Sequence, residues 1–143
     1  MKKILTFYVG GELFGIDVNL VKEITRNIEY TPLLNGKKYI KGLMNLRGNI
    51  VTIFDLELIL GKKIDNEVTK LQCIVLKAED DNEQLGFLVD RTEDVLEIKK
   101  ESFCELPEDV VEAKGNYISS VIKGQGELLK ILDFHKIFQI ENF

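Results

Sequence analysis

Residues 39–55 read Tyr39-Ile40-Lys41-Gly42-Leu43-Met44-Asn45-Leu46-Arg47-Gly48-Asn49-Ile50-Val51-Thr52-Ile53-Phe54-Asp55, two apolar runs hinged on one polar, glycine-containing turn. The pattern predicts a β-hairpin. Gly48-Asn49 can supply the positive φ of a tight turn, and β-branched and aromatic residues fill the strand that follows. Arg47 is thereby held at or beside the hairpin tip. Asp55 ends the second strand and is placed to N-cap a short helix, because its carboxylate accepts from a first-turn N–H that has no partner inside the helix. Leu56, Ile59 and Leu60 form that helix's apolar stripe, and Gly61 is placed to close it.

Upstream, Ile4 to Val9 and Leu13 to Ile16 are two strand patterns joined by Gly10-Gly11, a first hairpin. Asp17 then sits where an N-cap would, and Leu20, Val21 and Ile24 fall on one face of a helix of one or two turns. Thr25 to Pro32 reads as a strand that Pro32 ends, since proline cannot donate to a ladder. Downstream, residues 61–70 are the most polar connection and mark a boundary between halves. Leu71 to Ala78 and Leu85 to Asp90 form another hairpin, Asp90 to Asp94 breaks the run, and Val95 to Ile98 resumes it. A long polar loop, 99–116, precedes a last hairpin from Tyr117 to Leu132. Asp133 then caps a terminal helical stripe of Phe134, Ile137 and Phe138.

The chain repeats itself with a shift of about 78 residues: Tyr39 falls on Tyr117, Gly48 on Gly126, Ile53 on Ile131 and Asp55 on Asp133. The helical stripe repeats with it, and Gly15-Ile16-Asp17 echoes Gly86-Phe87-Leu88. Each copy is too small for a large core of its own. Such a duplication predicts two small five-stranded β-barrels packed about a pseudo-twofold axis. Asn45-Leu46-Arg47-Gly48 is answered only by Lys123-Gly124-Gln125-Gly126, so the unit's fold does not require Arg47.

Composition bounds the function. The 143 residues suit one domain or two very small ones, with 45% hydrophobic and 30% charged residues and a net charge of −5. A nucleic-acid module needs a concentrated basic face, and Lys37-Lys38 with Lys41 is too small a cluster to provide one. No apolar run reaches the ~20 residues of a membrane span, and Met-Lys-Lys leads straight into a strand pattern, so a cytoplasmic location without direct membrane insertion is expected. Cys73 and Cys104 have neither metal-ligand nor disulfide-framework spacing. His135, the only histidine, lies in a short helix with no Ser or Cys at nucleophile spacing. Asp17, Asp55, Asp90 and Asp133 each follow a strand where a helix or turn begins, so capping accounts for them without catalysis. A small-barrel ligand or nucleic-acid module is a different class, which the absence of a basic, aromatic-lined face disfavours.

In order along the chain, Leu13-Phe14-Gly15-Ile16-Asp17, Leu20-Val21-Lys22-Glu23-Ile24, Tyr39-Ile40-Lys41-Gly42 with Asn45-Leu46-Arg47-Gly48, Leu85 to Asp90 with Val95-Leu96, and Tyr117-Ile118 with Leu129 to Asp133 resemble the CheW-type coupling proteins of bacterial chemotaxis arrays. The resemblance covers nearly the whole length. It implies an all-β fold with short helices, built as two SH3-like five-stranded barrels. It implies a single CheW-like domain over 1–143, with 1–65 and part of the return strand forming the first barrel and 66–143 the second. It implies no catalysis and no cofactor. Such a protein bridges the cytoplasmic tip of a methyl-accepting chemoreceptor to the regulatory domain of the histidine kinase CheA. The coupling half of a CheV-type regulator is the alternative within this class.

Residue by residue, Val21, Glu23, Thr92 and Val95 resemble receptor-contacting positions, although Thr92 stands where the receptor groove often has an apolar residue. Thr52 replaces a proline common after the tip. Arg47 resembles the family's Asn-Leu-Arg-Gly arginine. Two roles are open to it: contact with a partner, or an internal ion pair, for which Glu23 is a candidate, that orders the hairpin.

Overall fold

The computed structural model describes residues 1–33, 38–61, 69–78, 84–105, 117–123 and 126–139. The Leu71–Ala78 and Leu85–Asp90 patterns appear as strands β7 (Gln72–Leu76) and β8 (Gln84–Val89), and the first hairpin as β1 (Lys2–Val9) and β2 (Glu12–Asp17). Gly10 and Gly11 join that first pair with φ of 60° and 78°, the left-handed geometry of a two-residue hairpin turn. The opening stretch forms β5 (Ile40–Leu46) and β6 (Asn49–Phe54), followed by the helix α1 (Leu56–Ile59). Its repeat forms β11 (Ile118–Ile122), β12 (Leu129–Leu132) and α2 (Phe134–Phe138).

Three local expectations are corrected. Val21 to Thr25 is a strand, β3, preceded by a single 3-10 turn over Val18–Leu20 that Asp17 caps through the Asn19 N–H at 2.9 Å. The apolar spacing that read as a helical face instead serves a strand paired with β7, Val21 opposite Leu76 and Ile24 opposite Ile74. Of the Thr25 to Pro32 run, β3 takes Thr25, and Thr31–Pro32 form a second short strand, β4, held against β5. Finally, Arg91 to Ile98 is one continuous strand, β9, rather than a break followed by a strand. Its pairing with β1, Arg91 opposite Tyr8 and Val95 opposite Leu5, overrides the poor strand propensity of Glu93-Asp94. A bulge in that pairing is held by the Thr6 hydroxyl, which donates to the Asp94 carbonyl at 2.7 Å.

With β10 (Phe103–Cys104), within the stretch expected as a long loop, the strands form two six-stranded sheets of the same order. The first runs β10-β11-β12-β2-β1-β9 and the second β4-β5-β6-β8-β7-β3. The sixth strand beyond the five expected is in each case a two-residue piece, β4 or β10. Repeat-related strands occupy equivalent places, including the parallel pairs β12 with β2 and β6 with β8. The two copies exchange their first hairpins. β1–β2 lie in the sheet of β9–β12, and β7–β8 lie in the sheet of β3–β6. The polar connection at 61–70 thus separates the repeats without separating the sheets, since residues before 65 contribute strands to both.

This exchange creates the main core. Leu5, Phe7, Val9, Phe14 and Ile16 of the first sheet meet Ile74, Leu76, Phe87 and Val89 of the second, with Leu56, Leu60, Phe134 and Ile137 filling between them. Phe87 is its hub, with ring centroids 5.2 Å from Phe54, 5.4 Å from Phe134 and 5.6 Å from Phe7. Each sheet also covers a smaller cluster of its own. One is built on Met44, Val51, Ile53, Cys73 and Val75, the other on Ile4, Ile122, Leu129 and Ile131. The duplicated frame is visible bond by bond. The Asp55 N–H donates to the Tyr39 carbonyl at 2.7 Å and the Asp133 N–H to the Tyr117 carbonyl at 2.8 Å. The two carboxylates cap α1 and α2 through Leu58 and Lys136 N–H groups at 3.1 and 3.2 Å.

Candidate partner-binding site

At the β5–β6 tip the register pairs Leu46 with Asn49, so the two turn residues are Arg47 and Gly48 rather than Gly48 and Asn49. Their φ angles are 51° and 86°, and Arg47 is the sole non-glycine with positive φ among the described residues. That geometry matches the right-handed twist of the flanking strands, but a long side chain occupies it at a steric cost. Asn45 steadies the turn, its side-chain oxygen accepting from the Gly48 N–H at 3.0 Å.

Two roles were open to Arg47, and the structure contains the internal pair. Its guanidinium donates through Nη2 to Glu23 Oε1 at 2.5 Å, while two thirds of the Arg47 side chain remains exposed. The hydrogen bond to Glu23, and then its charge, hold the Arg47 pKa above the ordinary guanidinium value. The β5–β6 tip is therefore tied to β3.

β3 and β9 are the outermost strands at equivalent ends of the two sheets. Val21 is half-buried against the shared core, and Val95 is 51% exposed. Their register partners Leu76 and Leu5 both belong to that core, so the two valines flank it from opposite sheets. Ile24, 39% exposed, and Leu20 before it extend the apolar surface of β3, whereas Leu96, opposite Ile4, lies on the other face of its sheet. Thr92 is not part of this apolar lining. Its N–H and its hydroxyl both donate to Gln72 Oε1, at 2.7 and 3.1 Å, which ties β9 of one sheet to β7 of the other.

Beside that tie lies a hollow of about 490 Å³ lined by Arg26, Leu71, Gln72, Arg91 and Thr92. Arg91 is held in place by Glu93, its Nε 2.7 Å from Oε1, and by stacking 4.3 Å over the Tyr8 ring. The Glu93 hydrogen bond is the main cause of the raised Arg91 pKa. Sequence reading missed Arg26, Gln72 and Arg91, because only the exchange of hairpins brings the end of β3, the start of β7 and the start of β9 together.

Of the four aspartates read as caps, Asp17, Asp55 and Asp133 do cap. Asp90 does something else. Only 3% exposed, it accepts from the Gly10 and Gly11 N–H groups at 3.1 and 2.8 Å and from Lys70 Nζ at 2.7 Å, and Lys70 also pairs with Glu57 of α1. Burial pulls the Lys70 pKa down, but the hydrogen bonds and charges of Asp90 and Glu57 outweigh it and leave it raised. This brace locks the first hairpin to the second repeat immediately before Arg91 and Thr92. The small basic cluster is dispersed: Lys41 pairs with Asp55 at 3.8 Å, Lys38 lies 5.2 Å over the Tyr39 ring, and Lys37 is outside the described residues. Among the described residues no three His, Cys, Asp or Glu side chains gather as metal ligands, and no helix is long and apolar enough to cross a membrane.

The family model of the CheW-like domain matches residues 3–142. The chain is 29% identical to the chemotaxis protein CheW of Treponema pallidum over 95% of its own length and 81% of that protein's. It is 30% identical to the chemotaxis protein CheW of Thermotoga maritima over 96% and 87%. The crystal structure of the scaffolding protein TtCheW from Thermoanaerobacter tengcongensis shares its fold, with a TM-score of 0.83 and 24% identity over 99% of this chain and 90% of that one.

Proposed function

Since the chain belongs to the CheW-like family and is a coupling scaffold of chemotaxis signalling, we propose that it works in the cytoplasm as a non-catalytic bridge between the helical tip of a methyl-accepting receptor and the regulatory domain of CheA. The observation that carries this reading is the pair of equivalent outer strands, β3 and β9. They present Val21, Ile24 and Val95 on either side of the shared core, with the Glu23–Arg47 pair beside them. An apolar strip rimmed by a few fixed charges suits one face of an amphipathic helix.

Within that reading Val21 and Val95 supply apolar contact and Glu23 a rim charge. Arg47 orders Glu23 and the tip from the side, and Thr92 holds the seam between the sheets through Gln72. The test is co-sedimentation of the full chain with a receptor signalling fragment and CheA, reading kinase activation. The wild-type chain is expected to bind both and to activate the kinase. Val95→Asp is expected to weaken receptor binding at least about tenfold, because it sets a charge in an apolar contact, while CheA binding persists. Arg47→Ala and Glu23→Ala are expected to weaken receptor or kinase binding with the thermal midpoint nearly unchanged. Failure of the wild-type chain to bind either partner would overturn the proposal.

A further inference from the structure

Resting on the reading of the β3–β9 surface as the receptor's seat, the geometry points to the hollow of Arg26, Gln72 and Arg91 as a carboxylate-binding subsite. Its occupant is an acidic side chain carried on the receptor helix.

The chemistry of the lining is one-sided. Gln72 has one oxygen and one amino group, and the group it presents to the Thr92 backbone N–H must be the oxygen, because an N–H can only donate. The Thr92 hydroxyl donates to the same oxygen, so the Gln72 amino group is the end left for a ligand. Arg91 gives its Nε to Glu93 and one face to Tyr8, which leaves its two terminal nitrogens as donors. Tyr8 is itself held by a hydrogen bond from its hydroxyl to Glu127 at 3.1 Å, so the guanidinium is fixed on its stacked side. Arg26, exposed where β3 ends, adds a second fork of donors. Among the described residues no carboxylate lines the hollow. A surface of donors in a chain of net charge −5 selects an acceptor.

Charge then narrows the class. Asp90, which also acts on Arg91, is offset by Lys70, so two guanidiniums less the Glu93 carboxylate leave about one positive charge, which suits a monoanionic carboxylate better than a dianionic phosphate. Leu71, 55% exposed at the edge, gives the methylenes of a Glu or Asp an apolar surface. The position also fits, since the hollow lies at the Arg26–Arg91 end of the same two strands that carry the exposed aliphatics. A helix laid along those strands would set its apolar face on Val21 and Val95, which flank the shared core, and its acid between the arginines, fixing register and direction.

The experiment titrates the full chain with a receptor signalling fragment at low and high salt, alongside the isolated CheA regulatory domain. Arg26→Gln and Arg91→Gln are each expected to lower receptor affinity about five- to tenfold at low salt and to flatten its salt dependence, with CheA affinity unchanged. Glu93→Gln, which releases Arg91, is expected to raise receptor affinity, an effect that a merely structural role would not produce. A scan of the fragment's acids to their amides should find one whose loss is not additive with Arg26→Gln. If wild-type chain does not bind the fragment, the functional reading falls and this one with it. If it binds but the double Arg26→Gln, Arg91→Gln variant keeps wild-type affinity and salt dependence, the carboxylate subsite alone is refuted. Equal loss of CheA binding would also refute it, since the hollow would then not belong to the receptor's seat.

Discussion

Replacing Asp90 tests whether the interlocked hairpins depend on one buried carboxylate. In Asp90→Ala the Gly10 and Gly11 N–H groups lose their acceptor, and Lys70 loses one of its two partners. Removing one member of a buried ion pair costs about 3–5 kcal/mol. Two features place this case near the lower end. Lys70 keeps Glu57, and 19% of its side-chain surface stays in contact with solvent. We expect a loss of about 3 kcal/mol, which for a chain of this size is a fall of roughly 6–12 °C in Tm. Urea unfolding at neutral pH measures the energy, and hydrogen exchange at the Gly10 and Gly11 amides measures the place, with faster exchange expected there than across β12. Adding Lys70→Met should deepen the loss, because the buried Glu57 carboxylate then has no cation beside it, and a Glu57→Gln change on top should recover part of it. A change below about 1 kcal/mol, or turn amides that exchange at the wild-type rate, would refute the brace as the link between the repeats.

Three further outcomes follow from single contacts. Gly42→Ala places a methyl 2.2 Å from the Thr31 carbonyl oxygen, so β4 must move off β5, and a loss of about 2–3 kcal/mol is expected in urea unfolding. Burial pushes the Cys73 thiol up to about 12, so a maleimide at about pH 8 should modify half-buried Cys104 and spare Cys73 until the chain is denatured. The same shift gives a sign: above the ordinary 9.0 the unfolded thiol ionises while the folded one keeps its proton, so stability falls between that pH and about 12, and Cys73→Ala should remove this part of the alkaline slope. Arg47→Gly, which suits the positive φ of the tip, is expected to leave Tm unchanged or higher while weakening partner binding, measured by thermal melting and co-sedimentation.

What the sequence made legible was periodic or repeated. The β5–β6 hairpin, the Asp55 and Asp133 caps and the tyrosine carbonyl contacts all recur at a fixed spacing, and each is a local device whose partners lie within one helical turn or one hairpin. The local reading failed where a distant strand decides. Val21 to Thr25 carries a helical apolar spacing, yet β7 offers it a ladder. Glu93-Asp94 reads as a break, yet β1 pairs across it and Thr6 bonds the bulge. Among the candidate residues, Glu23 and Arg47 do meet, and Thr92 meets a glutamine that no spacing marked. Asp90 looked like the other three aspartates because all end a strand. Its distinct role depends on which glycines and which lysine arrive beside it, and those come from the other hairpin and from the approach to β7.

The duplication separates what the tip does for the fold from what its arginine does. Tyr39, Gly48 and Asp55 have working equivalents in Tyr117, Gly126 and Asp133, down to the same hydrogen bonds and a positive φ of 111° at Gly126. A hairpin of this frame needs no arginine, and the left-handed backbone at Arg47 is a place where glycine or asparagine sits with less strain. Nor does the ion pair account for the residue through stability, since exposed pairs contribute little in water. What the pair does is geometric. It fixes a tip of the inner strands β5 and β6 to β3, the outer strand that holds Glu23 between Val21 and Ile24. Local strain accepted for a contact that adds little stability is what a positioning device looks like, and the strand it positions is the one that carries the proposed receptor surface.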